Sequence, residues 1–165
     1  MNKEQYIQLK GVINEDFVNY KKISMTLEFP TCSFKCDKEC GQPLCQNWNL
    51  TQQPTQKYSI ENLVQLYINN PITEAIVCQG LEPLDSWNEL MSFIYCLRVE
   101  HKCNDDIVIY TGYKEDEPQT QAIKALKGYN LIIKYGRYIP GQKRHLDPVL
   151  GVQLASDNQY AKEIK

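Results

Sequence analysis

Between Lys22 and Phe29 polar and apolar side chains alternate without a break. Ile23, Met25, Leu27 and Phe29 fall on one side, Lys22, Ser24, Thr26 and Glu28 on the other. A period of two predicts a half-buried strand, which Pro30 ends. From Ser59 the period becomes helical. Ser59 is suited to cap, Ile60, Leu63, Val64, Tyr67 and Ile68 share a face, and Asn69-Asn70-Pro71 stops the helix. The apolar run Ala75 to Cys78 predicts a buried strand. Ser86 and Glu89 have the spacing of a capping box, opening a helix whose face carries Trp87, Leu90, Met91, Ile94 and Leu97. Ile107 to Tyr110 reads as a third strand. Pro118 and Gly128 bracket a third helix with Ala122, Ile123 and Leu126 inward. Leu131 to Lys134 is a fourth strand and Val149 to Leu154 a fifth. The polar tail beyond is expected to fray.

Strands and helices therefore alternate, which predicts an α/β fold with a mainly parallel sheet. The chain is short for a closed eight-stranded barrel, so an open or partial (β/α) barrel is expected. In such sheets the loops after the strands emerge on one edge, where ligands bind. Four unusual loops hold that position: the cysteine run from Cys32 to Cys45, Gly80-Leu81-Glu82-Pro83, Thr111-Gly112-Tyr113 and Tyr135-Gly136-Arg137. They are expected to meet on one rim.

The 165 residues suit one domain spanning 1–165, with its core at about 20–160. A net charge of −2 and the lack of a basic stripe argue against nucleic acid as the main partner. Lys143-Arg144-His145 reads as a solvated face. No apolar stretch approaches the roughly 20 residues that span a bilayer, so no membrane is expected. The start, Met1-Asn-Lys-Glu-Gln-Tyr, is polar, without the apolar core of a secretion signal. The chain thus reads as cytoplasmic, where thiols stay reduced. Of seven cysteines, Cys78 and Cys96 read as core residues. Cys103 sits in a polar loop and receives no role.

The other four are Cys32, Cys36, Cys40 and Cys45, with three, three and four residues between them. Such density favours a metal centre over disulfides. Structural zinc sites usually pair close cysteines with a second, distant pair, and none follows here. His101 and His145 are remote in sequence. An iron–sulfur cluster fits better, because a compact loop can bind three irons of a cubane and leave the fourth open. Cys32 and Cys36 suit one end of such a loop; spacing leaves Cys40 and Cys45 both open as the third ligand.

The Cys-x-x-x-Cys start and the Cys45-Gln46-Asn47 end resemble the radical S-adenosylmethionine family. That family usually has two residues between its second and third cysteines, whereas Glu39 stands there in this chain. In its small activating enzymes the third cysteine is commonly followed by one residue and asparagine. The resemblance therefore implies Cys32, Cys36 and Cys45 as ligands of a [4Fe-4S] cluster, with Cys40 as the alternative third. Gly80-Leu81-Glu82-Pro83 resembles the family's Gly-Gly-Glu-Pro, which meets the methionine end of S-adenosyl-L-methionine. With the rim argument, this implies Gly80, Glu82, Pro83, Thr111 and Gly112 as cofactor-binding residues. Tyr110-Thr111-Gly112-Tyr113 and Ser156-Asp157-Asn158-Gln159 resemble segments of the activating proteins of anaerobic (class III) ribonucleotide reductase. Asn14 to Tyr20 stands where that family often has a glycine-rich stretch. The resemblance implies an enzyme that makes a glycyl radical on a partner, anaerobic ribonucleotide reductase, with a flavodoxin- or ferredoxin-type electron donor. The alternatives are a radical enzyme acting on a small molecule and a non-catalytic iron–sulfur or zinc module. Neither a Ser-His-Asp arrangement nor a Walker glycine loop is apparent.

Overall fold

The computed structural model describes residues 4–165; Met1–Lys3, the first part of the polar start, lie outside them. Along the chain run β1 (Tyr6–Leu9), β2 (Gly11–Asp16), β3 (Ser24–Phe29), α1 (Lys35–Cys40), α2 (Trp48–Thr51), β4 (Gln56–Ser59), α3 (Ile60–Ile68) and β5 (Ala75–Gly80). There follow α4 (Trp87–Tyr95), β6 (Asp106–Tyr110), α5 (Pro118–Gln121), β7 (Leu131–Tyr135), β8 (His145–Asp147), β9 (Val152–Leu154) and β10 (Tyr160–Ile164).

Six strands form one open sheet in the order β10-β7-β6-β5-β3-β2. The four central strands are parallel, while β2 and β10 join antiparallel at the edges. Register sorts the two faces. Leu27, Cys78, Ile109 and Ile133 sit side by side across the central strands. They pack with Leu63, Val64, Leu90 and Phe93 of α3 and α4. Each fully buried aliphatic or aromatic side chain there contributes roughly 1.5–3 kcal/mol of transfer free energy. On the opposite face the row Thr26, Val77, Val108 and Ile132 lies under Tyr20 and the β8–β9 hairpin, through Leu150 and Leu154. Towards the C-terminal ends of the strands this second face turns polar, with Gln79, Tyr110 and Lys134. Among the described residues no helix is long and apolar enough to cross a membrane.

Several elements depart from the sequence pattern. The first central strand is buried on both faces: Thr26 Oγ1 donates to Asp16 Oδ2 at 2.6 Å, and Ser24 Oγ donates to Lys22 O at 2.8 Å. Short hydroxyl side chains with local acceptors can face inward, which alternation alone misreads as exposure. The Ser86–Glu89 capping box does not form. A 3₁₀ turn at Pro83–Ser86 precedes α4, Glu82 caps that turn through Leu84 N, and Glu89 accepts from Gln8 N instead. The third predicted helix shortens to α5 and a 3₁₀ turn, in which Ile123 is buried and Ala122 exposed. Val149 to Leu154 is half of the β8–β9 hairpin, which is separate from the main sheet. The polar tail does not fray: β10 pairs with β7 from Tyr160↔Tyr135 to Ile164↔Leu131. Backbone pairing, Ala161 and a Tyr135–Tyr160 ring contact at 5.6 Å hold it, and these need little side-chain hydrophobicity.

Candidate metal centre

The chain leaves β3 at Pro30 and turns sharply at Phe34, whose φ of 53° is unusual for a bulky residue. That turn aims Phe34 N at Cys32 Sγ, 3.2 Å away, and opens α1 with Cys36 in its first turn. Beyond α1, Leu44 N donates to Asp37 Oδ1 at 2.7 Å, folding the loop back so that Cys45 returns. Cys32, Cys36 and Cys45 then line one cavity of about 310 Å³. Cys40 is exposed and does not line it.

Each of the three thiols has a backbone N–H beside its sulfur: Phe34 for Cys32, Tyr138 for Cys36 and Asn47 for Cys45. Burial pushes all three thiols up, Cys32 to about 11. The Arg137 charge works against that shift at Cys36. Half-buried thiols with backbone N–H groups beside them and no disulfide partner are prepared for a bound cation, which replaces their protons.

The other loops close round the same cavity. Asn47 Nδ2 donates to Gly80 O at 2.6 Å, so the residue two beyond Cys45 ties the cysteine loop to the end of β5. Gly80 has a φ of 96°, and a Cβ there would meet Phe29 N at 2.7 Å, so only glycine fits where the end of β5 lies against β3. Glu82 is buried and already engaged: Oε2 accepts from Gly112 N at 2.9 Å and Oε1 from Leu84 N at 3.1 Å. Burial raises its pKa to about 7. Glu82 therefore staples the β5 loop to the β6 loop, a different duty from the free acceptor its motif suggests. Gly80, Glu82, Thr111 and Gly112 all line the cavity. Pro83 is buried beneath it at the start of the 3₁₀ turn and does not. Tyr113 OH donates to Asp85 Oδ1 at 2.5 Å, and Asp85 Oδ2 accepts from Ser33 N at 3.0 Å, so three loops share one carboxylate.

Two cations join the site: Arg137, from a loop the sequence placed on the rim, and Lys134, to which the sequence pattern gave no role. Lys134 is buried on the cavity wall, where Nζ donates to Gly136 O at 2.9 Å and burial lowers its pKa to about 8. The signal was a lysine inside the apolar run Leu131-Ile-Ile-Lys-Tyr. Arg137, also lining the cavity, is fixed by Glu117 at 2.6 Å and Glu39 at 3.4 Å. Asn158 Nδ2 donates to Arg137 O at 2.7 Å and Gln159 Nε2 to Gly136 O at 3.2 Å, so the segment before β10 clamps the fourth loop.

All four predicted loops thus contribute to one cavity on the polar end of the sheet. Neither His101 nor His145 lines it, so the donor set is three thiols from one loop without imidazole. That set suits an iron–sulfur cubane held at three corners better than tetrahedral zinc. A family model described as a 4Fe-4S single cluster domain matches residues 21–159. No curated protein and no solved structure matches the chain.

Proposed function

The chain belongs to the family of 4Fe-4S single cluster domains, and from that premise we propose that it is a radical S-adenosylmethionine activase, which generates a glycyl radical on a partner enzyme. The observation that carries this reading is the three-thiol set. Cys32, Cys36 and Cys45 line one cavity with Gly80, Glu82, Thr111 and Gly112, and Cys40 stays outside. Three thiols leave one iron of a cubane free for an amino-acid ligand, whereas four would close it.

When bound, the cluster supplies a single electron to the sulfonium of S-adenosylmethionine, chemistry that no side chain here could perform. The chain does the rest. Backbone N–H groups stabilise charge on the three sulfurs. Gly112 keeps the rim bare beside Cys36, and Gly80 lets the β5 loop approach β3 closely. Lys134 Nζ offers a cation to a ligand carboxylate. The Glu82 and Asp85 contacts hold the loops in register. The Tyr110-Thr111-Gly112-Tyr113 and Ser156-Asp157-Asn158-Gln159 segments support anaerobic ribonucleotide reductase as partner, with a flavodoxin or ferredoxin as donor.

The test is anaerobic reconstitution with iron and sulfide, reduction, and incubation with S-adenosylmethionine. Formation of 5′-deoxyadenosine and methionine is expected. A cluster-loaded, reduced protein that yields neither would leave a non-catalytic iron–sulfur module.

A further inference from the structure

Outside that cavity, a carboxylate, a thiol and an imidazole converge. Glu61 Oε2, Cys96 Sγ and His101 Nε2 all lie within 4.8 Å of one another. His101 Nε2 is 2.9 Å from Glu61 Oε2, and the Cys96 thiol donates to the same oxygen at 3.6 Å. None of the three lines the cysteine cavity. We infer that these residues form a second metal site, one for zinc, that staples the first turn of α3 to the end of α4.

The donor chemistry selects the ion. Nitrogen, sulfur and oxygen together suit a borderline divalent cation, and thiolate disfavours magnesium and calcium. Zinc bonds of about 2.0–2.3 Å in a tetrahedron hold neighbouring donors roughly 3.2–3.8 Å apart. The 2.9 and 3.6 Å separations lie on either side of that range's lower end, so an ion could enter with small side-chain shifts.

The backbone is specialised at the same point. Cys96–Glu100 is a π-helical turn, and His101 N donates to Cys96 O at 3.0 Å. In an α-helix, residues five apart diverge by about 140°. The widened turn reduces that angle and lets Cys96 and His101 both reach Glu61. Access also fits. Cys96 is a buried anchor, whereas the Glu61 side chain is 51% exposed and that of His101 20%. A water can complete four ligands. Binding replaces the Cys96 thiol proton by the cation and releases that proton to solvent.

The test uses the whole 165-residue chain with its cluster loaded, because the cavity thiols could otherwise take zinc themselves. After zinc addition and removal of loose ions with a weak chelator, zinc and iron are measured together. About one zinc per chain with undiminished iron is expected. His101→Gln, which alters a partly exposed side chain, should lose the zinc and keep the iron. Zinc should raise the thermal unfolding midpoint of the wild type and leave that of His101→Gln unmoved. Cobalt in place of zinc should give a thiolate charge-transfer band that Cys96→Ala lacks. Equal zinc retention by wild type and His101→Gln would overturn the site, as would zinc uptake only in step with iron loss. Should Cys96→Ala fail to fold, the His101→Gln comparison decides alone.

Discussion

Cys40 and Cys45 are near neighbours in sequence, yet only Cys45 lines the cavity. Cys45→Ala should therefore lose the cluster, and Cys40→Ala should keep about four irons per chain after reconstitution. Iron and sulfide analysis checks this, and an iron-poor Cys40→Ala would reverse the assignment. The two rim glycines should behave differently from each other. At Gly80 a Cβ collides with backbone and the φ is left-handed, so Gly80→Ala should cost about 1–3 kcal/mol of stability in a denaturant titration. At Gly112 a Cβ would rest 3.6 Å from Glu82 Oε2 and 4.0 Å from Cys36 Sγ, ordinary contact distances. Gly112→Ala should fold and load iron normally. Gly112→Val, whose extra methyls reach further, should retain iron and bind S-adenosylmethionine more weakly. Unchanged binding by an iron-loaded Gly112→Val would count against this rim as the cofactor site.

At the scale of elements, one ion-pair network joins α1, the segment before α5 and the loop after β7. Lys35 and Arg137 share Glu117 at 3.3 and 2.6 Å. The hydrogen bond from Arg137, more than any other contact, holds the Glu117 carboxyl down to about 2 from its ordinary 4.5. A lowered carboxylate pKa means that this stabilisation is complete above pH 4.5 and is lost as pH falls towards 2. Glu117→Gln should cost about 1.5–3 kcal/mol at neutral pH. Its deficit against the wild type should shrink as pH drops through that window, as urea midpoints of the cluster-free, reduced protein would show. A deficit independent of pH would mean that the charge of Glu117 is idle. Elements with strong periodicity were legible in the sequence, namely the run to Phe29 and the face of α3 except Ile68, which is exposed, and so were the loops that build the cavity. Those that depend on partners were not. The tail carries few apolar residues, so nothing in Tyr160–Ile164 announces that β7 offers it an open edge. Likewise β1 pairs with β4, a partner about fifty residues away, and its buried Ile7 and Leu9 are too few to set a period. Ser86 has the spacing of a cap, but Glu82 reaches the preceding turn first. Lys134 was hidden because a cation in a buried strand is explained only by the cavity it faces.

Across the whole molecule, the cavity walls come from both ends of the described chain. The cysteine loop follows β3, whereas Asn158 and Gln159 clamp the Gly136–Arg137 loop just before β10. A chain ending at Gln159 should uncover the β7 edge and loosen that loop. It should aggregate more readily and lose iron faster to a chelator than the longer chain. Equal iron retention and a monomeric elution profile would show β10 to be dispensable. The order of synthesis gives the same arrangement a temporal meaning. At about 5–20 residues per second, the ribosome releases Cys45 roughly ten seconds before the residues that pair with β7. Through that interval the thiols exist on a nascent chain whose β7 edge is not yet covered by β10. Loss of iron from the chain ending at Gln159 would therefore date retention of the centre to the moment when β10 has been made, with Cys32, Cys36 and Cys45 waiting until then as free thiols.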